Sequence, residues 1–306
     1  MSFRSRTMLT SLAAFCLLPL GAHAQTGAGY ASPSSPRSIL EGLQFDANLG
    51  SDSNVTRSRL PSERLSDQVI GVQLSGSRTF STGSNSQTVY SGFAGLEQWR
   101  RFRGLGKAYV GGEAEFQYRT SEAFDAPTFG LSTSATAENY QSTLRDGIRL
   151  SVGANVQMAL TDRINLFAAL ARNVRSASSP VFDSRDSSLR LHLDYALAAH
   201  RNLYLSGEYR RGDVVAAGLP AWIDYSKAKA WADDDAFTSV GYDSYRIKGR
   251  TALFTLGYNH ALGTQDALDI SWRRIRSTPS ASPAAPFAGP AHYLSNQITL
   301  VYLKRF

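Results

Sequence analysis

Hydrophobic and polar residues alternate at every second position in many segments between residue 43 and the end of the chain. The segment "SLRLHLDYALAAHRNLYLSGEYRR", residues 188–211, alternates Leu189, Leu191 and Leu193 with charged residues. Successive side chains of a strand point to opposite faces, so the segment predicts strands with one apolar and one polar face. The break at 199–202 predicts a tight connection between two of them.

Two architectures fit such strands. In a sandwich the apolar face packs on a protein core, whereas in a membrane barrel it contacts lipid and the polar face lines a lumen. The segment "GIRLSVGANVQMAL", residues 147–160, alternates strictly from Ile148 to Leu160. This is longer than the average globular strand of about five or six residues and long enough to cross a bilayer, which takes about 9 to 11. Strand length therefore favours the barrel.

The number of strands follows from the need for an even count. Eleven segments alternate clearly, and a bacterial barrel with both termini in the periplasm has an even number of strands. Weak alternation through Phe129 and Leu131, within 128–137, supplies the twelfth strand. We therefore predict an all-β, transmembrane, antiparallel up-and-down barrel of about twelve strands, with ten or fourteen as open alternatives.

The connections between these segments differ in length. Short turns at one end and long loops at the other are typical of outer-membrane barrels. Short connections are predicted at 161–163, 199–202 and 263–266, and long ones at 51–66, 175–187, 211–246 and 276–292.

The first residues predict export. Arg4 and Arg6 precede a short apolar run and the small residues of 22–24, which is the pattern of a signal peptide ending at residue 24. The run is shorter than the roughly 20 apolar residues of a transmembrane helix. Residues 25–39 are rich in Pro and Ser and predict a flexible lead-in, so that 40–306 would form the barrel. The predicted location is a Gram-negative outer membrane, with both termini in the periplasm.

Charge narrows the choice of partners. Without the signal peptide the chain has 30 basic and 25 acidic residues, a net charge near +5. This excess favours anionic partners, and for an exported protein lipopolysaccharide phosphates or acidic polymers fit better than nucleic acid. The predicted partners are outer-membrane lipid, lipopolysaccharide, the barrel insertion machinery and a polysaccharide. No cofactor, metal or nucleic acid is predicted.

The polar faces of the strands supply candidate lumen residues. Mixed charges of this kind can hydrogen-bond sugar hydroxyls and set a field across a pore. The alternative is a narrow barrel whose interior charges pair with one another and fill it. The candidates are Asp46, Glu113, Glu115, Arg149, Arg190, His192, Asp194, Glu208 and Arg210.

Two near-identical motifs, "WRRFR" at 99–103 and "WRRIR" at 272–276, are predicted to lie at the outer rim. Tryptophan suits the membrane interface, and arginine binds phosphates bidentately. An aromatic girdle beside solvated charge is the simpler alternative, and capture of an acidic polymer is another. The predicted lipopolysaccharide or anion contacts are Arg100, Arg101, Arg103, Arg273, Arg274 and Arg276.

The last residues suggest an insertion signal. Phe306 is a terminal aromatic residue, and Tyr302 lies four positions before it on the same face. This pattern is the one by which the insertion machinery recognises barrels, although Lys304 departs from the expected apolar residue.

The loop at 211–246 and the histidines offer little chemistry. Trp222 and Trp231 could stack on sugars, while the aspartates within 232–236 lack the spacing and glycine of a calcium loop. His192 and Asp194 share one face, which is too ordinary to predict a catalytic dyad, and hydrolase motifs are absent. Catalysis is therefore not predicted.

Three stretches carry a resemblance to a known family. "FDANLGSDSNVTRS" at 45–58 resembles the "YDSNV" first strand and loop of the beta-barrel porin-2 family, whose members include outer-membrane proteins of exopolysaccharide operons. "LARNVRSASSPVFDSRDSSLRLHLDYAL" and "HYLSNQITLVYLKRF" are similar to its later hairpins. The resemblance implies an outer-membrane channel for passage or export of a saccharide polymer. A structural or display barrel with a plugged lumen and binding loops remains an alternative, as does a barrel enzyme.

Overall fold

The computed structural model describes residues 42–281 and 292–306, and most of them form β-strands. The predicted signal peptide and lead-in fall outside these residues, so both stay predictions. The strands are β1 (Leu43–Asp52), β2 (Asp67–Ser81), β3 (Ser86–Trp99), β4 (Lys107–Arg119), β5 (Thr128–Tyr140), β6 (Gly147–Ala159), β7 (Ile164–Ala177), β8 (Ser184–Ala198), β9 (Arg201–Gly218), β10 (Ala230–Asp233), β11 (Asp243–Ala261), β12 (Asp266–Pro279) and β13 (Tyr293–Arg305).

Twelve of these strands close into one antiparallel barrel. Sequential neighbours pair from β1 to β9, β9 pairs with β11, and β12 and β13 complete the circle back to β1. The short β10 pairs only with the first residues of β11 and lies outside the ring. This confirms the predicted fold and strand number, and the twelfth strand predicted at 128–137 is β5.

The alternation of the sequence becomes the inside and outside of this barrel. Leu191 on β8 is 51% exposed and its outward neighbours are similarly exposed, whereas Glu208 on β9 is only 6% exposed. Large apolar side chains cover the outer surface along the strands, including Leu74, Leu131, Leu150, Leu170, Leu205, Leu256 and Leu300. Closure pairs the backbone groups of every barrel strand, so the wall presents an apolar surface without an unpaired edge.

The two ends of the barrel differ as predicted. At the turn end, where both ends of the barrel chain lie, the connections are 82–85, 120–127, 160–163, 199–200 and 262–265. At the loop end they are 53–66, 100–106, 141–146, 178–183 and 219–242, together with the described residues 280, 281 and 292 between β12 and β13. The prediction of a long loop at 175–187 was wrong, because β7 and β8 continue their pairing and leave only six residues unpaired.

Short 3-10 helices occupy the connections at the loop end. Within the two described ranges no helix is both long and apolar enough to cross a membrane. The 3-10 helices are Pro61–Glu63, Arg103–Leu105, Thr143–Arg145, Pro180–Phe182, Pro220–Trp222, Tyr225–Lys227 and Asp235–Val240.

The mouth of the barrel at the loop end is filled by residues 213–248, which we call the plug. Beyond Gly212 and Gly249, β9 and β11 continue to pair with each other after their pairing with β8 and β12 has ended. The predicted loop at 211–246 is therefore mostly a hairpin extension together with 219–242. This extension reaches over the lumen to the first loop, where the backbone N–H of Ala217 donates to Thr56 O at 2.7 Å.

The plug packs on opposite sides of the mouth through its two faces. One face places Val214, Tyr245 and Ile247 against Tyr293 of β13, in an apolar cluster that also contains Ile223. On the other side, Phe237 packs edge-on against Phe102 of the 100–106 loop, with 5.1 Å between ring centroids. These aromatic and aliphatic contacts remove the plug residues from water and hold the segment in the mouth.

Candidate functional site

The lumen just below the plug contains a cluster of paired charges from five consecutive strands. Glu138 of β5 is its centre and accepts from Lys107 Nζ at 3.3 Å, from Arg149 Nη2 at 3.1 Å and from Arg175 Nε at 3.1 Å. Lys107 also lies 3.8 Å from Glu97 on β3. All five side chains have little exposure, because they project from neighbouring strands onto the same inner face.

A second group of charges lies on β8 and β9. Glu208 is within 3.4 Å of Arg190 Nε and 2.5 Å of Arg210 Nε, so one buried carboxylate faces two arginines. Arg273 of β12 also lies inside the barrel and donates to Thr255 Oγ1 at 3.2 Å. This side of the lumen therefore has more positive than negative groups.

The carboxylates of β4 lie on the inner face next to β5 and β6. Glu115 accepts from Asn155 Nδ2 at 2.8 Å, and Glu113 precedes it by two residues on the same face. Gly130 of β5 leaves room for this pair, since a Cβ atom there would lie 2.4 Å from Glu115 Oε1. A glycine at this position thus allows the amide and the carboxylate to meet across three strands.

Toward the turn end the interior is less charged. Asp46 accepts from Gln44 Nε2 at 2.8 Å, and Tyr204 donates to Asp269 Oδ1 at 3.0 Å. His192 Nε2 lies 3.1 Å from Asp194 Oδ2. The hydroxyl of Ser206, the cross-strand neighbour of His192, donates to Leu191 O, so the structure does not present it as a nucleophile activated by His192.

The nine predicted lumen residues therefore all lie on inward faces of their strands. The sequence argument missed several partners, including Glu97, Lys107, Glu138, Arg175 and Asp269. Lys107 was missed because it is the first residue of β4, where the alternation of the sequence has only begun. Glu138 lies on β5, whose alternation is the weakest, and a strand-by-strand assignment of inward positions would have found it.

The two tryptophan-arginine motifs both lie toward the loop end, where they were predicted, but in different surroundings. Trp99 ends β3 and is buried, and the exposed Arg100, Arg101 and Arg103 follow in the 100–106 loop.

The second motif lies within β12. Trp272 faces outward beside Phe254, with 6.0 Å between ring centroids, and Arg274 and Arg276 are exposed on the same outer face. The rim position predicted for Arg273 was wrong, because strand alternation turns it into the lumen, where only 6% of it is exposed.

The aspartates of the plug bind side chains of the protein. Asp234 forms a bidentate ion pair with Arg145, with distances of 2.7 and 2.5 Å, and accepts from Ser244 Oγ at 2.5 Å. Asp235 accepts from Ser142. Trp222 and Trp231 are exposed, and Trp231 packs against Tyr225 at 4.8 Å between centroids.

The plug borders a cavity of about 160 Å³ at the top of the lumen. Val215, Ala217 and Ser244 of the plug form one side, and Arg145, Arg149 and Arg175 belong to the opposite side. The volume is sufficient for several water molecules but small for an extended polymer. In this conformation, the cavity ends at the plug on the loop side.

A closed antiparallel barrel with an apolar outer wall, a charged lumen and one filled mouth is the architecture of an outer-membrane β-barrel. Solved structures share this fold. The COG4313 outer membrane channel from Pseudomonas putida F1 superposes with a TM-score of 0.52 at 13% identity, over 90% of this chain and 100% of that one. The KdgM porin in complex with disordered oligogalacturonate gives 0.45 at 8% identity, over 86% and 99%. The NanC porin gives the same values.

Sequence comparison adds no family to this fold. No family model matches the chain, and no curated protein matches it significantly. The resemblance to the beta-barrel porin-2 family therefore stays a prediction.

Proposed function

We propose that the protein is a channel in the outer membrane of a Gram-negative bacterium, with the turn end toward the periplasm. The observation that supports it is the charged lumen inside a wall whose outer surface is largely apolar below the loop end. An outer surface of this kind is stable against hydrocarbon, and short turns face the periplasm in barrels of this class. Fractionation of the expressing cells tests the location, and recovery of folded protein in the soluble periplasm would contradict it.

The proposed solute is a saccharide polymer, such as an exopolysaccharide. Lumen arginines, carboxylates and amides on adjacent strands can replace water around hydroxyl and carboxylate groups, and the exposed Trp222 and Trp231 offer stacking faces beside the mouth. The KdgM structure holds an oligogalacturonate, which is a property of that porin. The mixed charge of this lumen supports the same general class of solute.

The plug gives the channel a closed state. The plug contacts opposite sides of the mouth, so passage of a polymer would require residues 213–248 to move away from the loops that hold them. Polar contacts hold the plug to the wall, such as the Arg145–Asp234 ion pair, and water can hydrogen-bond to these groups when the plug leaves. This differs from a barrel packed throughout with apolar side chains, whose core would have to unfold.

Single-channel recording of purified protein in planar bilayers tests the proposal. The expected result is stepwise current that uronate-containing oligosaccharides reduce from one side. A neutral oligosaccharide of equal length serves as the control for simple occlusion. No current in the wild type and none in variants with a released plug would contradict the channel.

A structural or display barrel is the second candidate function, and the filled mouth favours it. In that case the exposed plug tryptophans and outer loops would bind ligands while the lumen stays closed. Binding of an oligosaccharide that is abolished by Trp222→Ala and Trp231→Ala, in a protein that never conducts ions, would support display.

A further inference from the structure

The outer wall has a strongly basic area near the loop end that neither the lumen nor the plug explains. Six arginines point outward there and are exposed, and we call them the basic face. They are Arg172 on β7, Arg185 on β8, Arg211 on β9, Arg250 on β11, and Arg274 and Arg276 on β12.

Strand register brings these six side chains together. Arg211 and Arg250 are direct cross-strand partners, and Ser187 separates Arg211 from Arg172 in the same row. Cross-strand partners on successive strands form a row, and rows rise toward the loop end from β1 to β7. The row that begins at Leu43, at the turn end of β1, reaches Val174 near the loop end of β7. On β12 the partner of Arg250 is Thr278, and Arg276 and Arg274 lie two and four residues below it, so they are near the height of Arg211.

Little negative charge accompanies this face. The carboxylate of Asp213 is the outward acid nearby, and Lys229 Nζ pairs with it. Throughout 42–281 and 292–306, no carboxylate forms an ion pair with any of the six arginines. On the other half of the same rim the exposed arginines Arg100, Arg101 and Arg103 lie in the 100–106 loop, beyond the strands. The outward strand residues there are uncharged, namely Ser51, Gln68, Gln98, Ala108, Asn139 and Asn296.

The charge also stands directly beside the apolar outer wall. Tyr209 lies two residues below Arg211 on the same face, and its cross-strand partner is Leu189; both are exposed. Phe254 lies beside Arg274. A ligand for this surface must therefore carry anionic groups next to hydrocarbon chains, which is the chemistry of a phosphorylated lipid.

We propose that the basic face binds the phosphates of lipopolysaccharide in the outer leaflet. Arginine guanidinium groups bind phosphate bidentately, and neighbouring strands spaced about 4.8 Å apart give the face a width of about 19 Å across its five strands. That width suits a lipid with more than one phosphate and several acyl chains. The inference rests on the proposed membrane orientation, which places the loop end at the cell surface.

The experiment measures binding of bisphosphorylated lipid A to purified protein in detergent, by native mass spectrometry. A triple variant Arg211→Gln, Arg250→Gln and Arg276→Gln is compared with a triple variant Arg78→Gln, Arg163→Gln and Arg201→Gln, whose exposed arginines lie near the turn end. We expect the first variant to bind about a hundredfold more weakly, because each cation near an anionic lipid surface contributes about a fivefold factor and three are removed. The second variant should bind like the wild type.

Two further arms separate the possible outcomes. Lipid A without phosphates should bind the wild type weakly, with the affinity that the first variant has for bisphosphorylated lipid A. Equal binding of the two lipids to the wild type would overturn the inference. Soluble polyphosphate that binds the wild type as tightly as the bisphosphorylated lipid would also overturn it, since the face would then recognise phosphate alone.

Failure of the channel proposal is distinguishable from failure of this inference. The three substituted arginines point away from the lumen, so ion current should be the same in the first variant and the wild type. A membrane-inserted protein that conducts ions but whose first variant keeps full lipid affinity would refute the lipid site alone.

Discussion

Arg145 and Asp234 form a buried, bidentate ion pair that connects the 141–146 loop to the plug. The two residues are 89 positions apart in the chain, the shortest N–O distance is 2.5 Å, and the side chains are 8% and 0% exposed. Arg145 also lies over the ring of Phe182 at 4.2 Å. The pair therefore fixes the plug to the wall of the barrel at the side opposite its apolar contacts with β13.

Removal of one partner of this pair should release the plug. Asp234→Asn keeps the shape of the side chain but leaves Asp235, 3.6 Å away and 42% exposed, as the remaining counter-charge of the buried Arg145. We expect a loss at the low end of the about 3 to 5 kcal/mol that breaking a buried ion pair costs. We expect longer or more frequent openings in planar-bilayer recordings. Asp233→Asn is the matched control, because Asp233 is exposed and adjacent. Equal opening frequency in Asp234→Asn and wild type would show that the pair does not hold the mouth closed.

Neutralisation of Glu208 should make the lumen more selective for anions. Glu208→Gln leaves Arg190 and Arg210 without the carboxylate that each contacts, so the local charge becomes more positive by one. The measurement is the reversal potential in a salt gradient. It should shift toward the equilibrium potential of the anion. Tyr209→Phe on the outer face is the control, and an unchanged potential in Glu208→Gln would place the ion path elsewhere.

A charge on the outer wall should impair membrane folding, whereas the same charge on the inner wall should not. Leu191→Lys places an ammonium group on the apolar outer surface, at a cost of about 2 to 4 kcal/mol near the centre of a bilayer. His192→Lys, one residue away, places it in the lumen. Folding yield in lipid vesicles is expected to fall only for Leu191→Lys. Similar yields for both variants would contradict the assignment of inside and outside.

Loss of the Asn54 side chain should destabilise the first loop. Asn54 is fully buried, and its amide donates to Ser58 O and to Leu294 O of β13, both at 2.8 Å. Asn54→Ala leaves these carbonyls unpaired and should lower the free energy of unfolding by about 1 to 3 kcal/mol. Trypsin cleavage after Arg57 would report the loosened loop.

Ser51→Ala serves as the control for this loop, since Ser51 is exposed on the outer face of β1. If Asn54→Ala resists trypsin as well as Ser51→Ala does, the amide does not hold the loop to β13.

The apolar cluster around Phe237 contains a titratable residue, Tyr242. Tyrosine is ordinarily neutral at physiological pH, and burial and the nearby Glu63 carboxylate both raise the pKa of the Tyr242 hydroxyl further. Tyr242 belongs to the apolar cluster with Phe102 and Phe237. The cluster therefore contains no side chain that would gain charge and open the plug under ordinary conditions.

Alternation in the sequence was enough to find the strands and their faces. Leu189 and Arg190 are neighbours in the chain, and the pleat alone sends one to the outer surface and the other into the lumen. The even strand count also located β5, whose local pattern is weak. Arg273 was placed at the rim because the motif at 272–276 was compared with its near copy at 99–103. The alternation of the strand around Arg273 already predicted an inward side chain.

The sequence by itself thus determined the barrel, its two faces and the difference between its ends, because side-chain direction in a strand is a local property with a period of two. Only the tertiary structure decided that residues 213–248 fill the mouth, that Arg145 meets Asp234, and that six arginines of five strands form one basic face. These depend on register and on closure of the ring, which bring residues together across distances that no local pattern records.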